Sequence, residues 1–151
     1  MEKQTFNIEI EASPEQVWDI LLGEQTYPKW TAVFAEGSQV ETDWKEGSKA
    51  LFLDGKGSGM VAVIEKNIPN KYLSIKHLGE IRDGKEDTES EAVKSWSGAL
   101  ENYTLQPVNG KTQLTIDMDV TEEFKDYMAD KWPKALLKVK ELAENQNQST
   151  G

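Results

Sequence analysis

The sequence predicts an α+β fold in which a curved antiparallel sheet of about six to seven strands wraps around one long C-terminal helix. Three observations support this expectation. Residues 121–144 carry large apolar side chains at helical spacing. Most of the preceding chain consists of strand-like segments joined by short turns, which favours antiparallel pairing. A capped segment after the first strand indicates a short helix, and a second short helix could follow it.

The composition is that of one globular domain. Of 151 residues, 37% are hydrophobic and 29% are charged, a balance that excludes a disordered chain. We expect residues 1–145 to form one domain and residues 146–151 to form a disordered polar tail. The net charge of -10 comes without any basic cluster. We therefore expect no nucleic-acid partner and no attraction to an anionic membrane surface.

Cysteine and histidine usage excludes several kinds of chemistry. The chain has no cysteine and a single histidine. Disulfides, thiolate nucleophiles and the common zinc sites are therefore excluded, and we expect neither a metal nor an organic cofactor. No stretch has the apolar length of a secretion signal or a membrane span. We expect a cytoplasmic monomer that does not insert into membranes.

The N-terminal segment predicts a strand that leads into a capped helix. Residues 5–11 alternate between apolar and polar side chains, which is typical of a half-buried strand. Ser13 is a suitable N-cap, and Pro14 suits the first helical position. Gln16 completes a capping box with Ser13. These residues mark the start of a helix.

The end of this helix and a second short helix are also predicted. The first helix should run over residues 15–22 and end at Gly23, with the glycine in the left-handed conformation. A second helical piece is predicted at residues 25–29, anchored by the apolar rings of Tyr27 and Trp30.

Residues 38–81 predict a series of strands separated by turns. One face of the first of these strands should carry Val40, Thr42 and Trp44. Residues 49–54 and 59–65 form the next two strands, joined by a glycine-rich turn. A turn at residues 68–71 precedes a strand with one buried face, formed by Leu73, Ile75, His77 and Ile81.

The following segments predict a loop, a long strand and a hairpin. Residues 82–91 are dense in charge and predict an exposed loop. Residues 92–106 predict one long strand, with a bulge near Glu101 and Asn102 because the apolar positions change parity there. Asn109-Gly110 is a strong hairpin signal.

The last predicted strand covers residues 112–120. Its alternation should turn four apolar side chains inward, namely Leu114, Ile116, Met118 and Val120. Asp117 and Asp119 should lie on the outer face, where we expect them to aid solubility.

The C-terminal helix is predicted over residues 121–144. One apolar face is formed by Phe124, Met128, Trp132, Leu136, Val139 and Ala143. Pro133 lies within it, so we expect a kink or a break into two helices at this point.

Several of these residues resemble a known family. Residues 12–18, after an alternating strand, resemble the opening of the START-like, helix-grip superfamily (SRPBCC), whose fold is also called Bet v 1-like. Tyr27 and Trp30, followed by residues 42–48, resemble the branch named for the activator of the ninety-kilodalton heat-shock-protein ATPase. The same branch is matched near the C-terminus by Trp132, Leu136 and Leu137.

The resemblance implies a sheet that grips the C-terminal helix, with an apolar cavity between them. Members of the superfamily bind lipids, sterols, hormones or polyketides, some catalyse cyclisation, and some assist a chaperone. The branch has no universal catalytic motif, so the resemblance assigns no catalytic residue. Fold alone does not determine which of these functions applies.

Nine residues are candidates for lining such a cavity, because they share its expected faces. They are Trp44, Phe52, Ile75, His77, Trp96, Met118, Met128, Trp132 and Leu136. The alternative is that these side chains fill the space between sheet and helix as a solid core. His77 could serve as a polar anchor or an acid–base group in the cavity. It could equally be a hydrogen-bonded residue with no part in any reaction.

Three functions remain open at this point. The first is binding of a small, mostly apolar ligand, lipid-like or aromatic, without catalysis. The second is a protein-interaction module of the chaperone ATPase-activator kind, which would have a filled interior and an exposed apolar surface. The third is an enzyme similar to a polyketide cyclase or aromatase, which would need an acid–base group inside the cavity.

Overall fold

The computed structural model describes residues 2–149, and the side chains of residues 2–145. Within this range it contains eight strands and four helices. The strands are β1 (Glu2–Ile10), β2 (Gln39–Glu41), β3 (Lys49–Leu53), β4 (Gly59–Ile68), β5 (Tyr72–Arg82), β6 (Lys85–Asp87), β7 (Ala99–Val108) and β8 (Lys111–Val120). The helices are α1 (Pro14–Leu22), α2 (Tyr27–Thr31), α3 (Glu91–Lys94) and α4 (Glu122–Ser149).

The strands form one antiparallel sheet with the order β1-β8-β7-β5-β4-β3-β2, and β6 pairs with β5. The first and last strands of the chain meet in this sheet, because β1 pairs with β8 along its whole length. Helix α4 packs against β1, α1 and α2. The predicted α+β class, with an antiparallel sheet and a long C-terminal helix, is therefore confirmed.

The clearest local predictions are also confirmed. Every second residue of β8 is buried, from Thr112 to Val120. Asn109 and Gly110 both have positive φ, 52° and 81°, as a tight hairpin turn between β7 and β8 requires. Ser13 caps α1 in a full capping box with Gln16.

The end of α1 differs from the prediction. Gly23 has φ -64° and ψ 138°, so it does not adopt the left-handed conformation. Glycine is needed there because the chain passes too close for a side chain. A Cβ at this position would lie 2.5 Å from the Asp19 carbonyl oxygen and 2.5 Å from Thr26 Oγ1. The Thr26 hydroxyl in turn donates to the Ile20 carbonyl at 2.7 Å and closes the connection to α2.

Gly23→Ala should therefore lower the free energy of unfolding by about 1–3 kcal/mol, the range for forcing extra atoms into an occupied site. Urea unfolding followed by circular dichroism measures it. The double variant Gly23→Ala/Thr26→Ala should recover little of the loss, because the contact with the Asp19 backbone remains. A fully stable single variant would contradict this explanation.

The segment after β5 is more structured than predicted. The exposed loop expected at residues 82–91 contains β6, which returns along β5 through a turn at Asp83 and Gly84. The long strand expected at residues 92–106 is wrong in its first part. Ser90 caps the short helix α3, and β7 begins only at Ala99, after Gly98 with φ 94°.

The predicted bulge at Glu101 and Asn102 is also wrong. Pairing of β7 with both neighbours is continuous through these two residues. The change of parity arises because Trp96 precedes the strand and because Leu100 lies on the face of β7 opposite to that of Tyr103. Register shifts occur instead between β4 and β5, where Leu78 and Glu65 are the extra residues.

The strand expected to carry Trp44 ends earlier, because β2 stops at Glu41. Trp44 has φ 63° and lies in the irregular segment between β2 and β3, not in the sheet. Its amide donates to Thr42 Oγ1 at 3.2 Å, and its carbonyl accepts from Asn67 Nδ2 at 2.6 Å. The ring still reaches the apolar core, beside Tyr27.

Helix α4 is continuous through Pro133, so the alternative of two separate helices is wrong. Pro133 has no backbone N–H, so the carbonyl of Ala129 loses its helical partner. Both residues are exposed, and water can satisfy that carbonyl. The four C-terminal members of the predicted apolar face are fully buried, whereas Phe124 is 49% exposed. The tail expected from residue 146 is helical as far as Ser149, and its last two residues lie outside the described part.

Within the described residues, no helix is both long enough and apolar enough to cross a membrane.

Candidate functional site

A cavity of about 520 Å³ lies beside the N-terminal half of α4, against one end of the sheet, and it is partly open to solvent. Its apolar wall consists of Met60, Ala92, Trp96, Ala99, Leu100, Met118, Val120, Phe124 and Met128. Its polar lining consists of His77, Glu80, Arg82, Ser95, Glu101, Asp119, Thr121 and Glu123. The first half of the helix and the sheet therefore enclose an open space.

The irregular part of β5 positions one wall of this cavity. The extra residue Leu78 follows His77, and its carbonyl accepts a hydrogen bond from Ser97 Oγ at 2.9 Å. The His77 carbonyl accepts from the Gly98 amide at 2.8 Å. These two bonds hold the loop after α3 against the sheet. Trp96, on that loop, therefore forms part of the wall.

A chain of hydrogen bonds joins three polar side chains on the helix-facing side of the sheet. His77 Nε2 lies 3.2 Å from Glu101 Oε1, and the Tyr103 hydroxyl donates to Glu101 Oε2. Burial raises the pKa of the Glu101 carboxyl, but the hydrogen bond and charge of His77, with the bond from Tyr103, outweigh it and lower the pKa overall. Burial and the Glu101 charge raise the pKa of the Tyr103 hydroxyl well above its ordinary value. Glu101 is therefore an ionised carboxylate, and Tyr103 stays protonated.

The remaining charges around the cavity are mostly negative. Arg82 pairs with Glu80 across the same strand. Asp119 Oδ2 accepts from the Leu100 amide at 3.0 Å, and Glu123 lies in the first turn of α4. The lining thus combines four carboxylates with one guanidinium.

Apart from Glu80 Oε1, which forms the ion pair with Arg82, two buried polar atoms of lining residues have no hydrogen-bond partner among the described residues, His77 Nδ1 and Thr121 Oγ1. In the same part of the chain, no group of three or more His, Cys, Asp or Glu side chains is placed to hold a metal ion.

The structure separates the nine candidate residues into three groups. His77, Trp96, Met118 and Met128 line the cavity. Trp44, Phe52 and Ile75 border only a void of about 10 Å³, too small for any organic ligand. Trp132 and Leu136 are buried at 3% and 2% exposure, outside the cavity lining.

Trp132 is instead the centre of an aromatic cluster in the core. Its ring lies 5.1 Å from Phe34, 6.0 Å from Trp30, 6.1 Å from Tyr103 and 6.4 Å from Phe6, between centroids. The part of α4 from Trp132 onward therefore covers a filled core, in contrast to the open space beside its first two turns.

Sequence reasoning missed all five charged residues of the lining, namely Glu80, Arg82, Glu101, Asp119 and Glu123. Glu101 was hidden by the assumed bulge, since an uninterrupted β7 places it on the same face as Tyr103 and Leu105. Asp119, expected on the outer face, nevertheless contributes to the lining at the end of β8. The available signal for Glu101 was an acidic side chain at a strand position that alternation places on the buried face.

Comparison with solved structures shows the same fold in other proteins. The solution structure of the Aha1 dimer from Colwellia psychrerythraea has a TM-score of 0.70 and 23% identity, and covers 95% of this chain and 97% of that chain. ChR145 from Cytophaga hutchinsonii has a TM-score of 0.71 and 19% identity, with 98% and 97% covered. CalU16 from Micromonospora echinospora has a TM-score of 0.65 and 15% identity, with 97% and 79% covered.

Sequence comparison identifies the family. Among curated proteins, none matches the sequence. A family model described as Activator of Hsp90 ATPase homolog 1-like protein matches residues 11–144, which is most of the chain. The resemblance in the N-terminal cap and the core aromatic residues is thereby confirmed. The chain belongs to the family of Activator of Hsp90 ATPase homolog 1-like proteins.

Proposed function

We propose that this protein binds a small, mostly apolar ligand in the cavity between the sheet and the first half of α4, without catalysis. The observation that carries the proposal is the cavity of about 520 Å³, whose wall is largely apolar and contains a few convergent polar groups. Sites for small molecules typically have volumes of about 300–1,000 Å³ and this composition.

The apolar wall supplies the attraction. Burial of apolar surface contributes about 25 cal/mol per Å², from which the cost of immobilising the ligand is subtracted. Trp96, Met118 and Met128 come from three different elements, so a ligand that contacts all three would bridge the loop after α3, the sheet and α4. The wall therefore favours a compact apolar body, aromatic or lipid-like.

Titration with pyrene-1-methanol, a neutral fluorescent probe, tests the proposal. We expect saturable binding of one molecule per chain, confirmed by native mass spectrometry, and we expect the probe to be recovered unchanged. The protein purified from its own host should also release any bound lipophile on extraction. Absence of saturable binding would contradict the proposal, and chemical conversion of a bound compound would favour an enzyme.

A second candidate function is interaction with a chaperone ATPase, as the family description suggests. The observation that favours it is an exposed stripe on the outer face of α4. Tyr127 is 41% exposed and Leu137 is 60% exposed, and the exposed Asp130 and Pro133 lie between them at helical spacing. Large exposed apolar side chains at such spacing are typical of a docking surface.

If this stripe docks on a chaperone, the wild-type protein should raise the ATPase rate of an Hsp90-type chaperone from the same host. Leu137→Glu should raise the concentration of this protein that gives half-maximal ATPase stimulation about tenfold, the effect of losing a central contact. Ile68→Glu is the matched control, because Ile68 is 41% exposed on a different element, β4. Equal effects of both variants, or no stimulation by the wild type, would argue against this function.

A further inference from the structure

We propose that the cavity selects ligands whose polar end is a protonated amine, and that it discriminates against carboxylates. This inference rests on the proposed ligand-binding function and adds the chemical class of the ligand. Fatty acids and other anionic amphiphiles would fit the apolar wall equally well, but we expect the cavity to disfavour their negatively charged end.

The first argument is hydrogen-bonding capacity. A carboxylate offers about four lone-pair directions and donates nothing when it is ionised. Glu101 accepts one bond from His77 and one from Tyr103, and it is a lining residue. The remaining lone pairs of the Glu101 carboxylate can be satisfied only by a hydrogen-bond donor. The Nε2 proton of His77 and the Tyr103 hydroxyl are already committed to Glu101, so they are not free to hold a ligand carboxylate.

The second argument is charge. Glu80 and Arg82 pair and largely cancel. His77 faces Glu101, whereas Asp119 and Glu123 line the same space without an ion-pair partner among the described residues. At an effective dielectric constant of about 20, a unit charge some 8 Å from one carboxylate has an interaction of about 2 kcal/mol. The negative charge of these carboxylates attracts an ammonium group and repels a carboxylate. The net charge of -10 of the whole protein acts in the same direction.

The third argument is the placement of these groups relative to the apolar wall. Glu101 pairs directly with Met118 on β8, and Glu123 precedes Phe124 on α4. Both carboxylates therefore adjoin apolar members of the wall. A ligand with an aromatic or alkyl body and a short aminomethyl end can fill the space and reach a carboxylate at the same time.

Three probes with one skeleton test this inference, namely 1-pyrenemethylamine, pyrene-1-methanol and pyrene-1-carboxylate. At pH 7.5 the amine is cationic, the alcohol is neutral and the acid is anionic. We expect the amine to bind about tenfold more tightly than the alcohol, and the carboxylate to bind more weakly than both. Competition between the amine and the alcohol should show that they share one site of unit stoichiometry.

Variants separate local recognition from the general attraction of an acidic protein for cations. Glu101→Gln should reduce the preference for the amine over the alcohol about tenfold. Glu123→Gln, at an exposed helix position that is not needed for folding, should reduce the preference about threefold. Glu41→Gln removes the same charge on β2, outside the cavity lining, and should leave the preference unchanged.

The outcomes distinguish this inference from the function on which it rests. Equal affinity for the three probes, or a preference for the carboxylate, would overturn the inference and leave ligand binding intact. A preference for the amine that responds equally to Glu41→Gln and Glu123→Gln would also overturn it, as non-specific attraction. Absence of saturable binding by all three probes would overturn both.

Discussion

Trp132→Ala should lower the free energy of unfolding by about 3–5 kcal/mol, the usual loss when a buried tryptophan is truncated. Trp132 is 3% exposed, and its ring contacts four aromatic rings from β1, α2, the segment after α2 and β7. Removing it leaves a cavity where α4 meets the sheet. The loss is a large part of the stability of a domain of this size, about 5–15 kcal/mol.

Urea unfolding followed by far-ultraviolet circular dichroism measures this loss. Trp132→Phe provides the comparison, and we expect it to cost only about 1–2 kcal/mol. The indole Nε1 is buried without a hydrogen-bond partner among the described residues, so phenylalanine removes an unsatisfied donor while it keeps much of the ring. A stable Trp132→Ala variant that had lost ligand binding would instead place Trp132 in the binding site.

The elements that sequence predicted well are those whose signals are local. The capping box at Ser13, the hairpin residues Asn109 and Gly110 and the alternation of β8 each depend on a few neighbouring residues. Such signals are consistent with the final fold and do not depend on distant pairing.

The errors lie where pairing across the sheet decides the structure. A bulge exists only relative to a partner strand, so the extra residues Leu78 and Glu65 leave no reliable mark in the sequence. Helix α3 has four residues, too few to show helical periodicity, although Ser90 and Gly98 were signals for its start and for the following turn. Reading this segment as strand then created a false bulge at Glu101.

The candidate site could be predicted only in part for a related reason. His77, Met118 and Met128 were recognised because strand and helix periodicity place them on the faces that meet. Periodicity cannot tell where along those faces the packing is tight. Trp132 and Leu136 share the face of α4 with Met128, yet they lie in the filled core. The boundary between the open and filled parts depends on the neighbouring aromatic rings, which only the three-dimensional structure shows.

Ala99→Phe should weaken binding of an apolar ligand by about 100-fold or more, the second of the large effects we expect. Ala99 is buried in the cavity wall at the start of β7, and it pairs with His77. A phenyl group on its Cβ would occupy the volume that the ligand needs. Loss of about 3 kcal/mol of apolar contact corresponds to this change in affinity.

The same substitution should leave the free energy of unfolding within about 1 kcal/mol of the wild type, because the ring fills an existing space and displaces no other side chain. Ala129→Phe is the matched control, since Ala129 is exposed on α4 and outside the cavity lining. Probe titration and urea unfolding on both variants supply the measurements. Unchanged binding by a folded Ala99→Phe protein would indicate that the ligand binds elsewhere.

Together, Trp132→Ala and Ala99→Phe test whether different parts of α4 provide stability and ligand binding. The part of the helix from Trp132 onward seals an aromatic core and should respond to truncation with loss of stability. The first two turns, from Glu122 to Met128, cover an open space and should respond to filling with loss of binding. If each variant affected only its own property, stability and ligand recognition would reside in separate parts of one helix. If either variant affected both equally, stability and ligand binding would depend on one continuous core.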